Sequence, residues 1–144
     1  MHIFITTFQE SSPVIRQVRD AVFGDEQDIP RDLDWDGRDA SCIHVLATGP
    51  ENIPIGTGRL QPDGRIGRLA VLKPHRGRGI GSRMLACLIE AARARGIARV
   101  YLHAQTHSVP FYEKCGFRTE GEKFQEAGIP HVNMTRIVTD SGQD

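Results

Sequence analysis

The stretch from Leu69 to Ser82 constrains this chain more than any other. An apolar strand signal, Leu69-Ala70-Val71, runs through Lys73-Pro74-His75 into Arg76-Gly77-Arg78-Gly79-Ile80-Gly81 and straight into a helix. A strand that feeds a helix through glycines gathers unpaired backbone N–H groups at the helix start. With no Cβ in the way these groups can come close to an anion, and the helix dipole adds an effective charge of about +0.5 at that end. The segment is therefore expected to bind phosphate, and its spacing separates three ways of doing so. A Walker A loop needs Gly-Lys-Ser/Thr, which is absent. The dinucleotide fingerprint needs glycine at relative positions one, three and six, whereas Gly77 and Gly79 are followed by Ser82, and no amino-terminal βαβ unit frames them. The remaining pattern is Arg or Gln, two residues, Gly, one residue, then Gly or Ala. Arg76, Gly79 and Gly81 meet it.

The rest of the chain predicts alternating strands and helices around this segment. Residues 2 to 8 read as a strand, and Ser11-Ser12-Pro13 places an N-cap before a helix that runs to about Phe23, with Val14, Val18 and Val22 on its apolar face and Gly24 as its stop. Residues 25 to 39 carry seven carboxylates and read as a solvated loop with room for one short helix. Strands follow at 42–47, 53–60 and 65–72, joined by the turns TGPEN and QPDG, which makes an antiparallel meander. A helix is expected over 80–95, with Ile80, Met84, Leu88 and Ala91 on one face. After it come a strand at 99–104, a short helix at 108–115 closed by Gly116, and two strands at 117–124 and 132–138, with a frayed SGQD tail. The order β-α-loop-β-β-β-α-β-α-β-β predicts a mixed α/β (α+β) layer architecture. At 144 residues and 39% apolar content, a single domain over 1–144 is expected.

Composition narrows the class. Lysine plus arginine and aspartate plus glutamate both count 18, so no global field draws the chain to nucleic acid or to an anionic membrane. No run is long and apolar enough for a signal peptide or a span. Three cysteines without a CxxC pair argue against disulfides and a zinc site, and a cytoplasmic protein is expected.

The phosphate segment, taken with Phe111-Tyr112-Glu113-Lys114-Cys115-Gly116-Phe117 some thirty residues on, resembles the GNAT superfamily of acyl-CoA N-acyltransferases. Coverage runs from about Ile3 to Val138. Finer features, namely FGDEQ at 23–27, IGTGRL at 55–60, HAQ at 103–105 and AGIPHVNM at 127–134, resemble its ElaA-like branch. The resemblance implies the GNAT fold, a mixed central sheet of six or seven strands flanked by helices, and acetyl-CoA as co-substrate. It implies that the coenzyme's pyrophosphate sits on Arg76, Gly77, Arg78, Gly79, Ile80, Gly81 and Ser82. The pantetheine arm would lie along Leu69, Ala70 and Val71, with the Val71 N–H as oxyanion donor. Tyr112 would touch the cofactor and protonate the departing thiolate.

The implied activity is transfer of the acetyl group directly to a primary amine of a small molecule or peptide, with a homodimer allowed as assembly. Glu26 and His103 are the candidate general bases beside water, because Arg68 stands where many relatives place a motif glutamate. His44, His107 and His131 are further candidates to line a pocket. Cys115 is read as a core residue, not a nucleophile, since nothing in sequence activates it. The acidic stretch 25–39 would favour a cationic acceptor if it lined the pocket. Two other classes stand beside the enzyme: a non-catalytic acyl-CoA-binding module, and an acyl-homoserine-lactone-synthase-like acyltransferase, whose chains are longer.

Overall fold

The computed structural model describes residues 1–138, apart from the side chain of Asp32; the SGQD tail expected to fray lies outside the described residues. Among these residues seven strands form two sheets. The first has the order β1 (His2–Thr7), β2 (Ile43–Thr48), β3 (Pro54–Leu60), β4 (Ile66–Val71), all antiparallel, and is the predicted meander with β1 added at its edge. The second sheet holds β5 (Arg99–Gln105), β6 (Arg118–Glu126) and β7 (Ile129–Ile137), with β7 in the middle. The helices are α1 (Phe8–Arg19), α2 (Arg31–Asp34), α3 (Ile80–Ala94) and α4 (Val109–Lys114).

One apolar cluster joins both sheets to α3. The expected α3 face is present and wider than predicted: Ile80, Met84, Leu85, Leu88, Ile89, Ala91 and Ala92 are all buried, against Val45, Leu60 and Ile66 on one sheet and Val100, Leu102 and Met134 on the other. Burying each large aliphatic side chain stabilises by about 1.5 to 3 kcal/mol, so α3 is the element that holds the two sheets together. Among the described residues no helix is long and apolar enough to cross a membrane.

The amino-terminal helix differs from its sequence reading at both ends. Its N-cap is Thr7, not the Ser-Ser-Pro: the Thr7 hydroxyl accepts from the Glu10 N–H and donates to the Glu10 carboxylate, an N-cap that outcompetes the later serines and leaves Pro13 inside the helix. Gly24 does not stop it. The helix continues as a π-helical turn, Asp20–Glu26, in which the Gln27 N–H reaches back to the Val22 carbonyl. The buried face is Ile15, Val18, Val22 and Phe23, together with Arg19, which is 1% exposed, while Val14 is only partly covered.

Arg19 explains why the acidic stretch is not a solvated loop. Its guanidinium donates to Asp34 at 2.7 Å and Asp39 at 2.6 Å, both buried. Arg59 joins Asp39 at 3.0 Å and Asp36 at 2.6 Å, and Arg68 closes the network onto Asp34 and Asp36. Three arginines thus neutralise three of the carboxylates and pin residues 31 to 39 against the first sheet.

Candidate active site

The site begins with a defect in β4. Thr57 faces Ala70 and Arg59 faces Gly67, so Arg68 and Leu69 together oppose Gly58 alone, a β-bulge with Arg68 at φ +50°. Gly58 gives the bulge room: a Cβ there would lie 2.7 Å from Leu69 Cδ1 and push that side chain aside. Beyond the bulge, the Leu72 N–H donates to the Ile55 carbonyl. Since hydrogen-bonded and non-bonded pairs alternate along an antiparallel ladder, Val71, opposite Gly56, turns its N–H and C=O away from β3. Its carbonyl accepts instead from Arg76 Nε at 2.8 Å.

On that far side of β4 lies β5, but the two strands barely touch. Arg65 bridges Tyr101 in parallel, and the Tyr101 N–H donates to the Gly64 carbonyl at 3.1 Å. Past that bridge they share no ladder, and a cavity of about 1000 Å³ opens between the sheets. Leu69, Ala70 and Val71 form one wall and Leu102, His103 and Gln105 the other.

The glycine loop closes the phosphate end of this cavity. Gly77 and Gly79 take φ of +80° and +78°, the left-handed region that side chains other than glycine enter at a cost. Gly79 is the N-cap of α3, and the first bond of the helix runs from the Arg83 N–H to the Gly79 carbonyl. The N–H groups of Ile80, Gly81 and Ser82 are thereby left at the open end. A Cβ built on Gly77 would meet nothing within 4 Å, so the loop is glycine for its backbone shape and for the space it leaves beside the chain. Gly77, Gly79, Ile80, Gly81 and Ser82 all line the cavity; exposed Arg78 does not. A recess of free N–H groups at a helix start fits a pyrophosphate.

Arg76, expected beside the pyrophosphate, also lines the cavity and is paired with a carboxylate. Both prongs of its guanidinium close on Glu26, each at 2.6 Å. Glu26 is correspondingly held below its ordinary pKa, first by that hydrogen bond and then by the charges of Arg76 and Lys73, with burial opposing.

Tyr112 lines the cavity from α4, edge-on to Phe111 at 5.0 Å and Phe117 at 6.0 Å between ring centroids. Burial, with a smaller contribution from Cys115, pushes its phenol up to about 12. Burial also raises the Cys115 thiol, against the charge of Arg136.

His103 stands across the cavity on β5. Its Nδ1 lies 2.8 Å from Glu126 Oε1 and 3.1 Å from Arg65 Nη2. His131 and His107 also line the cavity. His44 does not: it is buried against Phe8 with Nε2 3.0 Å from the Asp39 carbonyl, and burial first of all lowers its pKa. Asp34 and Asp36 reach the cavity wall, yet they are already paired with arginines. Glu126 and Arg65 were not singled out in the sequence. Among the described residues no three His, Cys, Asp or Glu gather as a metal site would require.

Residues 35–138 match the acetyltransferase (GNAT) domain family. The chain is 38% identical over 123 residues to the uncharacterized N-acetyltransferase YjcF of Bacillus subtilis, covering 83% of this chain and 87% of that protein. It is 33% identical over 129 residues to the protein ElaA of Escherichia coli, covering 85% and 84%. The crystal structure of ElaA superposes with a TM-score of 0.85 at 28% identity over 94% of this chain and 99% of that one. An aminoglycoside 6′-N-acetyltransferase complexed with coenzyme A has a TM-score of 0.72 at 18% identity over 94% and 97% of the two chains, a likeness of fold alone. The bulged and splayed strands, the glycine loop and these relatives lead to one assignment: the chain belongs to the GNAT family and is an acetyl-transferring enzyme.

Proposed function

We propose that this enzyme takes acetyl-CoA as co-substrate and transfers its acetyl group directly to a primary amine of a small molecule or peptide. The observation that carries this reading is the Val71 backbone, turned away from β3 toward the gap where β4 and β5 part. A thioester lying in that gap would present its carbonyl oxygen to the Val71 N–H. Such a donor stabilises the oxyanion by about 3 to 4 kcal/mol in comparable sites. The N–H groups of residues 80–82 supply the pyrophosphate seat, in keeping with the coenzyme A that the aminoglycoside acetyltransferase of the same fold holds.

The steps assign themselves to residues. His103 takes the proton that the amine loses as its nitrogen attacks the carbonyl carbon. The Val71 N–H holds the oxyanion while the C–S bond breaks. Tyr112 gives its proton to the departing thiolate, and its raised pKa keeps that proton in place at neutral pH. His103 is preferred to Glu26 as base because Glu26 is occupied by Arg76, which lowers its affinity for a proton. A covalent route through Cys115 is disfavoured, since burial keeps the thiol protonated.

Release of free coenzyme A thiol from acetyl-CoA, measured against a panel of putrescine, lysine-containing peptides and amino sugars, tests the proposal. Amine-dependent release with a matching N-acetyl product supports it. Tight acetyl-CoA binding with no release in any amine would instead leave an acyl-CoA-binding module.

A further inference from the structure

A second carboxylate sits where the proposed base needs one. Glu126 ends β6, and β7 lies between β6 and β5, so the contact between Glu126 and His103 reaches across a whole strand. Phe124 fixes the ring from the side, edge-on at 5.1 Å, and itself stacks on His131 at 6.0 Å. Two other charged or titratable groups face the pair: Arg65, just before β4, and His131 on β7, whose Nε2 is 3.8 Å from Glu126 Oε2.

Arg65 and Glu126 make opposite demands on the same atom. Nδ1 has either a hydrogen or a lone pair. With the lone pair it would accept from Arg65 at 3.1 Å but confront a carboxylate oxygen at 2.8 Å with no hydrogen between them. With the hydrogen it donates to Glu126 over the shorter, charge-assisted contact, and Arg65 is left to face the carboxylate at 3.8 Å. The second arrangement keeps the shorter contact to a full negative charge and leaves the Arg65 N–H, now facing Nδ1–H at 3.1 Å, as the weaker partner held only by charge. It also leaves Nε2 with the lone pair, on a ring that lines the cavity.

We infer that Glu126 is a positioning residue that holds His103 as the Nδ1–H tautomer against the pull of Arg65, so that Nε2 is free to accept the proton of the incoming amine. This rests on the reading of His103 as base, and it deepens it: without Glu126, Arg65 would donate to Nδ1, the hydrogen would move to Nε2, and the ring could no longer act as a base toward the cavity. The nearby carboxylate is ionised for this task. Burial works against it, but the hydrogen bond from His103 and the charge of Arg65 hold Glu126 below its ordinary pKa.

The test is the imidazole nitrogen spectrum of the uncharged ring. In the intact enzyme, multiple-bond 15N–1H correlations should show His103 as Nδ1–H. In Glu126→Met the signal should move to the Nε2–H pattern, turnover on the best amine of the panel should fall by about a hundredfold or more, and the Michaelis constant for acetyl-CoA should hold. Arg65→Met added to that variant should restore part of both. If Glu126→Met does not fold, Glu126→Gln, which keeps the shape, should show a mixture of tautomers. An unchanged Nδ1–H pattern in whichever of these variants folds overturns the inference, whatever the amine panel shows. A His103→Ala enzyme with undiminished turnover would remove the base assignment instead, a failure that the spectrum alone cannot produce.

Discussion

Arg76 grips Glu26 with both prongs of its guanidinium, each at 2.6 Å, while its Nε holds the Val71 carbonyl at 2.8 Å. One side chain thus ties the end of the π-helical turn to the strand residue proposed to steady the oxyanion. The pair is structural in its first effect. It orients the Val71 peptide, and it withdraws Glu26 from proton transfer.

Glu26→Gln separates these roles. The two side chains are 39% and 35% exposed, so after screening the ion pair contributes no more than about 1 kcal/mol. Because the folded pKa of Glu26 lies below the ordinary 4.5, that contribution is present above 4.5 and is lost as pH falls through the folded value. Turnover at neutral pH should stay within about threefold of the parent enzyme. A loss beyond about a hundredfold, with the acid limb of the rate profile abolished, would return Glu26 to the role of base.

The buried network predicts a much larger effect. Asp39 accepts from Arg19 at 2.6 Å and from Arg59 at 3.0 Å, with all three side chains buried. Asp39→Ala leaves two guanidiniums short of a counter-charge, and urea unfolding should show a loss of about 3 to 5 kcal/mol. The same network sets the acid response. Burial opposes ionisation of Asp36, but the hydrogen bonds from Arg59 and the Arg38 N–H hold its carboxyl well below the ordinary 3.8. Its contribution is therefore full above 3.8 and disappears as pH drops further, and Arg59→Met should flatten that acid limb.

The phosphate seat is tested at Gly79. Its φ of +78° strains any other residue by roughly 1 to 2 kcal/mol, yet a Cβ there would meet only Ser82 Oγ at 3.9 Å, so Gly79→Asp should fold. Its carboxylate would then occupy the end of α3 where an anion is expected. Calorimetry should show acetyl-CoA binding abolished, and unchanged affinity in a folded variant would sink the assignment. Arg78→Ala should raise the Michaelis constant for acetyl-CoA more than it alters turnover, and added salt should mimic it.

What the sequence disclosed depended on the range over which each signal acts. The loop at 76–81 and the α3 face were legible because backbone shape and helical period are local. The cap at Thr7 was equally local, but Ser11-Ser12-Pro13 offered a competing signal of the same kind. The acidic run misled for another reason. Whether Asp34 and Asp39 meet water or Arg19 depends on how residues 31 to 39 fold back on α1, which spacing does not encode. Glu126 could not be read at all. It meets His103 only because β7, last in the chain, inserts between β5 and β6, and no pattern within any one of those strands specifies that order.

Tyr112 separates a catalyst from a binding module. Tyr112→Phe keeps the edge-on contacts with Phe111 and Phe117 and removes only the hydroxyl, so acetyl-CoA affinity should be nearly intact. Turnover should fall by roughly ten- to a thousandfold, within or just below the usual range for general acid catalysis. With the phenol pushed up to about 12, its ionisation adds no alkaline limb to the rate of the parent enzyme between pH 7 and 10; any limb there belongs to another group. The loss should shrink with an acyl donor whose thiol is more acidic, because a better leaving group needs less help from a proton. A loss that is the same for every leaving group, or equal turnover by both enzymes, would take Tyr112 out of the mechanism and leave water as the proton donor.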